Sequence, residues 1–327
     1  MIIKKLERFL QLKIVENTLL FFLLLGVSIT VFTPNISIFR TGAALANQSM
    51  IAYLGLSLFF LIFNQKRLMI VSMVCTCIFA FFLKETTDSR IRYSPSNQEE
   101  KIRISLINLS SFDTPPNKVL KDLSDKDFDF IIFQEYTPNW KGIIHNLIGK
   151  KYHYQVAIPR IDFYGIKVFS KYPINEVDTL FVQNALILKT QIQKNHRNFD
   201  IVTTYLAPSI DSASSASAQE QLNLLSKFSS TDSIPLIVAG IFNLVPWCSE
   251  IQDFKKEANL IEARRGYLPT MHKNTDGIFA KPVTHFFYNA RLECNNFKIS
   301  SFQNDEIGIE AKFQIKSDKV PEAKPFQ

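Results

Sequence analysis

The chain has 327 residues, of which 46% are hydrophobic, and a formal net charge of +7. This length and apolar content suit one large domain with an appendage, and they exclude collagen-like and broadly disordered chains. Residues 1–84 hold eight of the 37 basic residues and two of the 30 acidic ones, which leaves 29 basic and 28 acidic residues in 85–327. The positive charge therefore indicates membrane topology rather than a nucleic-acid-binding face.

Three apolar stretches near the N-terminus predict transmembrane helices over Asn17–Phe39, Thr41–Gln65 and Leu68–Leu83. The first two carry no charge and are long enough to cross a hydrocarbon core of about 30 Å at about 1.5 Å per residue. The third is bounded by Arg67 and Lys84, whose long side chains can reach the interfaces. A buried core helix is the alternative for any one stretch, but three in succession favour a membrane anchor over residues 1–84.

The basic residues predict the orientation of this anchor. Four of them precede the first span, Lys66 and Arg67 join the second to the third, and Arg40 alone lies between the first and the second. Because basic loops stay on the cytoplasmic side, the N-terminus should lie inside and the domain after Lys84 outside. We therefore predict an integral protein of a cytoplasmic-type membrane, with the lipid bilayer as its partner.

A polar linker over residues 85–100 leads into a single domain over residues 101–315, and residues 316–327 form a tail. Apolar runs of strand length are predicted at Ile102–Leu109, Phe128–Gln134, Ile166–Ser170, Ala185–Gln193, Phe199–Leu206, Leu236–Ala239, His285–Tyr288 and Gly308–Ile315. Helical patterns lie between several of them, over Pro138–Ile148, from Ser212 to Phe228, and over Ser249–Ala258. This alternation predicts an α/β domain.

The strand Leu236–Ala239 is followed by Gly240-Ile241-Phe242-Asn243, a sharp turn of the kind where such strands carry functional groups. It resembles the Gly-Asp-Phe-Asn turn of the endonuclease/exonuclease/phosphatase family, with Ile241 in place of the aspartate. The family's other motifs are resembled, in the right order, by Lys101–Asn108, Asp129–Glu135, Tyr164–Ile174, Thr203–Pro208, Arg264–Thr270, Thr284–Phe287 and Asn304–Glu306. The resemblance covers residues 101–315 and implies a four-layer α/β sandwich of two mixed sheets flanked by helices.

The resemblance also implies roles for individual residues. It assigns metal binding to Glu135, Asn108 and Asp305, with Mg²⁺ or Mn²⁺ held weakly. A phosphate-orienting amide is implied at Asn243. Tyr205 occupies a position where hydrolytic members commonly have histidine and AP-endonuclease-like members have tyrosine.

Other candidates at this site have stronger alternatives. His285 follows Thr284, a position where the resemblance implies a residue that often supports structure, so we favour a supporting core histidine over a catalytic one. Arg264 and Arg265 are candidates for contacting an anionic substrate, although an exposed basic pair is the more frequent explanation. Without the resemblance, Glu135 would be interpreted as a solvated carboxylate. Cys248 and Cys294 leave a disulfide open in a domain that we predict to lie outside the cytoplasm.

Three positions depart from the family pattern. Ile241 replaces the aspartate, Thr284 replaces a carboxylate, and Glu306 replaces the histidine of the Ser-Asp-His motif. Losing one general base commonly costs about 10²–10⁴-fold in rate. The first hypothesis is therefore a catalytically impaired member that acts as a binding or scaffolding module at the membrane surface.

The second hypothesis is a residual or rewired metal-dependent phosphoesterase. The membrane-anchored layout resembles that of the teicoplanin-resistance-type proteins, which implies an envelope phosphate or a lipid-linked phosphate as its ligand. Nucleic acid is disfavoured as a partner because the domain is nearly neutral.

Overall fold

The computed structural model describes residues 9–32, 42–85, 101–112, 117–208, 211–230, 233–266, 281–302 and 305–316. In the described part of the chain, three helices with defined bounds precede the domain: α1 over Lys13–Val31, α2 over Ala46–Ile62 and α3 over Lys66–Glu85. By length and hydropathy α1 and α3 are candidate membrane spans. Helix α2 has 17 residues, at the lower limit for a span, because Asn64 adopts a left-handed conformation that ends it before Gln65.

The three helices alternate in direction. Arg67 at the start of α3 pairs with Glu16 at the start of α1, with 3.6 Å between guanidinium and carboxylate. The hydroxyl of Tyr53 in α2 donates to the carbonyl of Leu23 in α1 at 2.8 Å. Only 17% of the apolar window in α1 and 28% of that in α3 is buried, so protein does not enclose these helices as it encloses a core helix.

Among the described residues, the domain consists of two six-stranded sheets. The first has the order β11-β12-β1-β2-β4-β3 and the second the order β5-β6-β7-β8-β10-β9. The strands are β1 Lys101–Asn108, β2 Phe130–Gln134, β3 Tyr154–Ile158, β4 Ile166–Ser170, β5 Ile174–Val182, β6 Ala185–Lys194, β7 Arg197–Tyr205, β8 Leu236–Ile241, β9 Ile261–Glu262, β10 Thr284–Tyr288, β11 Leu292–Phe302 and β12 Asp305–Ile315. Both sheets mix parallel and antiparallel pairs, as the sequence predicts.

Two pairs of helices cover the outer faces of the sheets. Helices α4 (Asn117–Asp125) and α5 (Trp140–Ile148) pack on the first sheet, and α6 (Ser212–Ser229) and α7 (Ser249–Glu257) on the second. Helix α6 begins at a capping box in which the Asp211 carboxylate accepts from the Ser214 backbone amide at 2.7 Å. The four-layer sandwich is therefore confirmed.

The apolar core lies between the sheets, and strand β8 shows why its continuous apolar run is required. Alternate side chains of a strand point to opposite faces. Ile237, Ala239 and Ile241 accordingly pack in the central cluster between the sheets. Leu236 and Val238 pack outward in the cluster beneath α6 and α7. Both faces of β8 are buried, as is usual for the interior strands of such a sandwich.

Four strands and one helix are absent from the sequence prediction: β3, β5, β9, β11 and α4. Strand β5 is mostly exposed at the edge of its sheet, so it lacks the apolar run that identifies a buried strand. Strand β9 has two residues, too few for any periodic pattern. Residues 86–100 and 317–327, which cover nearly all of the predicted linker and tail, lie outside the described residues, as does Arg40.

The N-terminal helices contact the domain. The indole N–H of Trp247 donates to the carbonyl of Ala43, just before α2. Ala46 of α2 and Leu83 of α3 join the apolar cluster on the outer face of the second sheet, together with Leu206. The start of α2 and the end of α3 therefore lie on the side of the domain.

Candidate functional site

Glu135 and Asn108 meet where strands β1 and β2 end side by side. These strands are parallel, with Asn108 opposite Gln134, so their carboxyl ends share one sheet edge. The Asn108 side-chain amide donates to Glu135 Oε1 at 3.1 Å, and the Ser110 hydroxyl donates to the same oxygen at 3.0 Å. Asn108 Oδ1 accepts from the Ser110 backbone amide at 3.0 Å, which caps the short 3₁₀ turn Leu109–Ser111. One carboxylate is thus held by two neutral donors.

Tyr205 and Asn243 belong to the same edge. Burial is the main cause that raises the pKa of Tyr205 to about 12; hydrogen bonding with Asn243 opposes the rise, and the Glu135 charge adds to it. Asn243 also donates from its side-chain amide to the carbonyl of Leu206 at 2.7 Å. The Tyr205 ring stacks on Phe163, with 5.8 Å between the ring centres, and meets Tyr164 edge-on at 5.9 Å. The hydroxyl is therefore a neutral hydrogen-bonding group at neutral pH.

Two residues of this edge adopt left-handed backbone conformations. Glu135 has φ of 58° and Asn243 has φ of 54°. Asparagine tolerates this region, whereas for glutamate it is uncommon and costs on the order of 1 kcal/mol or more. Such outliers concentrate at functional sites, and here they mark the turns that follow β2 and β8.

Buried amides connect the two sheets beneath the site. Gln134 Nε2 donates across the sandwich to the Thr203 hydroxyl at 2.8 Å and to the Thr204 carbonyl at 3.1 Å. Gln221 of α6 donates to the Thr204 hydroxyl at 2.8 Å and to the Tyr205 carbonyl at 2.9 Å. The Gln134 bonds hold strand β7 against β2, and hence Tyr205 against Glu135, and the Gln221 bonds hold the same strand against α6.

Ile241 and Thr284 face each other across strands β8 and β10. The Ile241 side chain is fully buried in the central apolar cluster, whose members include Tyr205. Thr284 is 8% exposed, and its carbonyl accepts from the Arg264 guanidinium at 2.6 Å. Two positions that depart from the family pattern thus share the inner face of the second sheet.

His285 points the other way, because it follows Thr284 along the strand. Its Nδ1 lies 2.9 Å from Glu262 Oε1 and its Nε2 lies 2.9 Å from the carbonyl of Leu244. The ring is fully buried and stacks on Phe287, with 5.2 Å between centres. Both nitrogens lie within hydrogen-bonding distance of oxygen atoms of the protein. His285 therefore has the geometry of a supporting residue of the central turn.

Glu262 and Arg264 complete this buried network. Desolvation opposes ionisation of the Glu262 carboxyl. The charge and hydrogen bond of His285, together with the charges of Arg264 and Lys255, outweigh this and hold the pKa of the carboxyl below the usual value. Arg264 is 2% exposed, lies 3.5 Å from the Glu262 carboxylate, and covers the Phe297 ring at 4.8 Å. Its contacts are with the protein interior.

Arg265 does not share that environment. It is exposed, and its guanidinium donates to the carbonyl of Cys294 at 3.3 Å. The two arginines considered for substrate contact therefore lie in different surroundings, one in the core and one at the surface. Cys294 and Cys248 are not joined by a disulfide, and they belong to different buried clusters.

The remaining predicted residues lie on β12. Strand β12 runs antiparallel to β1 with Gly308 opposite Ile107, which brings the backbone of Asp305 and Glu306 to the edge where Asn108 lies. Their side chains are outside the described part of the chain. The predicted convergence of Asp305 and Glu135 on one ion therefore stays a prediction.

The oxygen donors at this edge suit a hard cation. Carboxylate and carboxamide oxygens are the ligands that Mg²⁺ and Mn²⁺ prefer. Among the described residues, however, no three His, Cys, Asp or Glu side chains cluster closely enough to hold a metal ion. One carboxylate with neutral neighbours supplies little charge, so these residues alone fit weak binding.

Comparisons with known proteins agree with this architecture. A sequence profile described as the Endonuclease/Exonuclease/phosphatase family matches residues 106–296, more than half of the chain. The chain belongs to this family. Among curated proteins the comparison gives no match.

Solved structures of the endonuclease/exonuclease/phosphatase family share the fold. A member from Bacteroides vulgatus is 13% identical with a TM-score of 0.56, covering 66% of this chain and 99% of that one. The mannosyl-6-phosphatase of Bacteroides thetaiotaomicron is 10% identical with a TM-score of 0.52, over 66% and 100%. TDP2 of D. rerio, in complex with a single-strand DNA product, is 12% identical with a TM-score of 0.55, over 65% and 99%. At these identities the likeness shows the fold, which phosphatases and nucleases share.

Three residues at or near the site were missed by the sequence analysis: Ser110, Phe163 and Glu262. Ser110 follows Asn108 by two residues, a spacing at which a hydroxyl can share the Asn side chain. Phe163 precedes a segment that matches a family motif. Glu262 lies in a two-residue strand and offers no sequence signal at all.

Proposed function

We propose that this protein is a membrane-anchored member of the endonuclease/exonuclease/phosphatase family whose catalytic site is impaired, and that it acts as a binding or scaffolding module at the membrane surface. The observation that carries the proposal is the placement of Ile241, fully buried in the central apolar cluster opposite Thr284. A hydrocarbon side chain can neither ligate a cation nor accept a proton. Its neighbour across the sheet offers a hydroxyl in place of a carboxylate.

The test of impairment is phosphoester turnover with Mg²⁺ or Mn²⁺. Wild-type protein is expected to be a very poor hydrolase, and Ile241→Asp alone should not restore turnover, because residues that act as a unit are strongly non-additive. The minimal reconstruction adds Thr284→Asp and Glu306→His. Robust wild-type turnover that Glu135→Gln abolishes, while Glu176→Gln on the exposed face of β5 has no effect, would overturn the proposal.

The anchor is proposed on two observations. Helices α1 and α3 are apolar and largely unenclosed, and large side chains such as Phe21, Phe22 and Phe81 are each at least 60% exposed on them. Lipid is the environment in which such a surface is favourable. The bilayer is thus the proposed partner.

The proposed orientation has the N-terminus in the cytoplasm and the domain outside. It rests on the basic residues around α1 and between α2 and α3, together with the domain-side position of Ala46 and Leu83. Protease added to right-side-out vesicles should digest the domain. Complete protection until the vesicles are lysed would refute this topology.

The alternative is a residual or rewired metal-dependent phosphoesterase acting on envelope or lipid-linked phosphates. It is favoured by the pairing of Glu135 with Asn108, and by the position of Tyr205 beside Asn243. Near the same edge Phe163 is 52% exposed while stacked on Tyr205, a surface that suits the apolar part of a lipid-linked ligand. Metal titration run in parallel with the turnover assay separates the two functions, because an impaired module turns nothing over even where it binds a cation.

A further inference from the structure

A cavity of about 590 Å³ opens on the outer face of the first sheet, beside helix α5. Its lining includes Lys167 of β4, Gln155 of β3, Lys141 and His145 of α5, and Tyr136. The Tyr136 ring belongs to the apolar cluster beneath α4 and α5, on the opposite side of the first sheet from the core between the sheets. The cavity is therefore distinct from the edge that carries Glu135.

Lys167 is the unusual residue of this cavity. It is 3% exposed, and its ammonium has neither a carboxylate partner nor a hydrogen-bond acceptor in the described part of the chain. It lies 4.5 Å from the centre of the Phe169 ring and 5.3 Å from that of Tyr136. Aromatic faces stabilise a cation but accept none of its strong hydrogen bonds. Burial, and then the charge of Lys141, lower the pKa of Lys167.

The surroundings add further groups that favour an anion. The Tyr136 side chain lines the cavity, and its hydroxyl is buried without a hydrogen-bond partner among the described residues, so folding leaves a donor unsatisfied beside it. Lys141 and Gly142 lie in the first turn of α5, where the helix dipole attracts negative charge. Asp and Glu are absent from the described residues that line the cavity.

We propose that this cavity binds a phosphate group, with Lys167 and Lys141 as its counter-charges and the Tyr136 hydroxyl as a hydrogen-bond donor. Buried charges are normally paired, and an anion from solution provides the partner that the chain does not. A phosphate offers several acceptor oxygens, enough for both ammonium groups and the hydroxyl at once. The volume exceeds that of a bare phosphate, so the site also has room for part of an organic phosphate.

The test follows the reactivity of the Lys167 amine in the full chain. Reductive methylation is measured by mass spectrometry in detergent, with inorganic phosphate titrated against chloride at constant ionic strength. Phosphate should slow methylation of Lys167 saturably, while Lys118, exposed on α4, reacts at an unchanged rate. Equal protection of both lysines, or no saturable protection of Lys167, would overturn the proposal.

Three variants locate the bound anion. Tyr136→Phe and Lys141→Met should each raise the half-saturating phosphate concentration about tenfold, as expected for the loss of one strong hydrogen bond or charge. Glu135→Gln should leave that concentration unchanged, because its carboxylate lies at the other site. If Glu135→Gln abolished the protection, or if the first two variants had no effect, phosphate would be binding elsewhere and the assignment would be wrong.

Discussion

Replacing Ile241 by aspartate is expected to destabilise the domain by about 3–6 kcal/mol. The side chain is fully buried in the central cluster, so its removal loses about 2–3 kcal/mol of apolar burial. The new carboxyl group enters an apolar environment, where an unsatisfied polar group costs about 1–3 kcal/mol. The sum is a large part of the 5–15 kcal/mol that typically stabilises a folded domain.

Guanidinium unfolding followed by tryptophan fluorescence measures this effect in the full chain. Both tryptophans, Trp140 and Trp247, belong to the domain, so the signal reports on unfolding of the domain and, through Trp247, on its contact with Ala43. Ile241→Val is the matched apolar control and should cost about 0.5–1.5 kcal/mol. Ile241→Asn is matched to aspartate in shape and carries no charge.

The pH dependence separates charge from polarity. Burial raises the pKa of an introduced aspartate above its unfolded value of about 3.9. A group whose pKa is raised on folding makes its full contribution to the free energy of unfolding at pH values below its unfolded pKa. That contribution to stability is lost as the pH rises through the folded pKa. The aspartate and asparagine variants should therefore converge in stability towards pH 4 and diverge by pH 8. An aspartate variant within about 1 kcal/mol of wild type would refute the buried placement of Ile241.

Three further perturbations probe buried contacts around the site. His285→Ala should cost about 3–5 kcal/mol because it leaves Glu262 without its imidazole partner, and an unfolding midpoint close to wild type would contradict this network. Since the pKa of Glu262 is lowered on folding, its ionised carboxylate stabilises the fold above the unfolded value of about 4.3, and this stabilisation is lost as the pH falls through the folded pKa. Glu262→Gln should therefore flatten the acid-side slope of unfolding free energy against pH. An unchanged slope would count against an ionised Glu262 in this network. Trp247→Phe removes the hydrogen bond to the Ala43 carbonyl and should speed amide hydrogen exchange at the start of α2, whereas unchanged exchange would show that this bond does not hold the helix to the domain.

The sequence predicted the architecture well wherever local periodicity reports burial. The apolar run of β8 needs both faces buried, and the structure covers one with the opposite sheet and the other with α6 and α7. The ordered motifs predicted the family, which the match over residues 106–296 confirms. The resemblance assigned Glu135 and Asn108 to the same metal site, which stays a prediction, and the two side chains do meet where the parallel strands β1 and β2 end. Edge strands such as β5 were not predicted, because half-exposed segments lack the continuous apolar run of a buried strand.

What the sequence by itself determined is therefore where the apolar, buried strands form, and which chemical groups reach the ends of β1, β2, β7 and β8. Only the tertiary structure decided the direction and partners of individual side chains. Adjacent residues Thr284 and His285 point to opposite faces of one strand. Arg264 is buried in the core, where its guanidinium lies beside the Glu262 carboxylate. In the sequence Lys167 is likewise an isolated basic residue of a strand, and only the folded structure places it beside α5 and the aromatic rings. Such partners come from distant parts of the chain, and local periodicity carries no information about them.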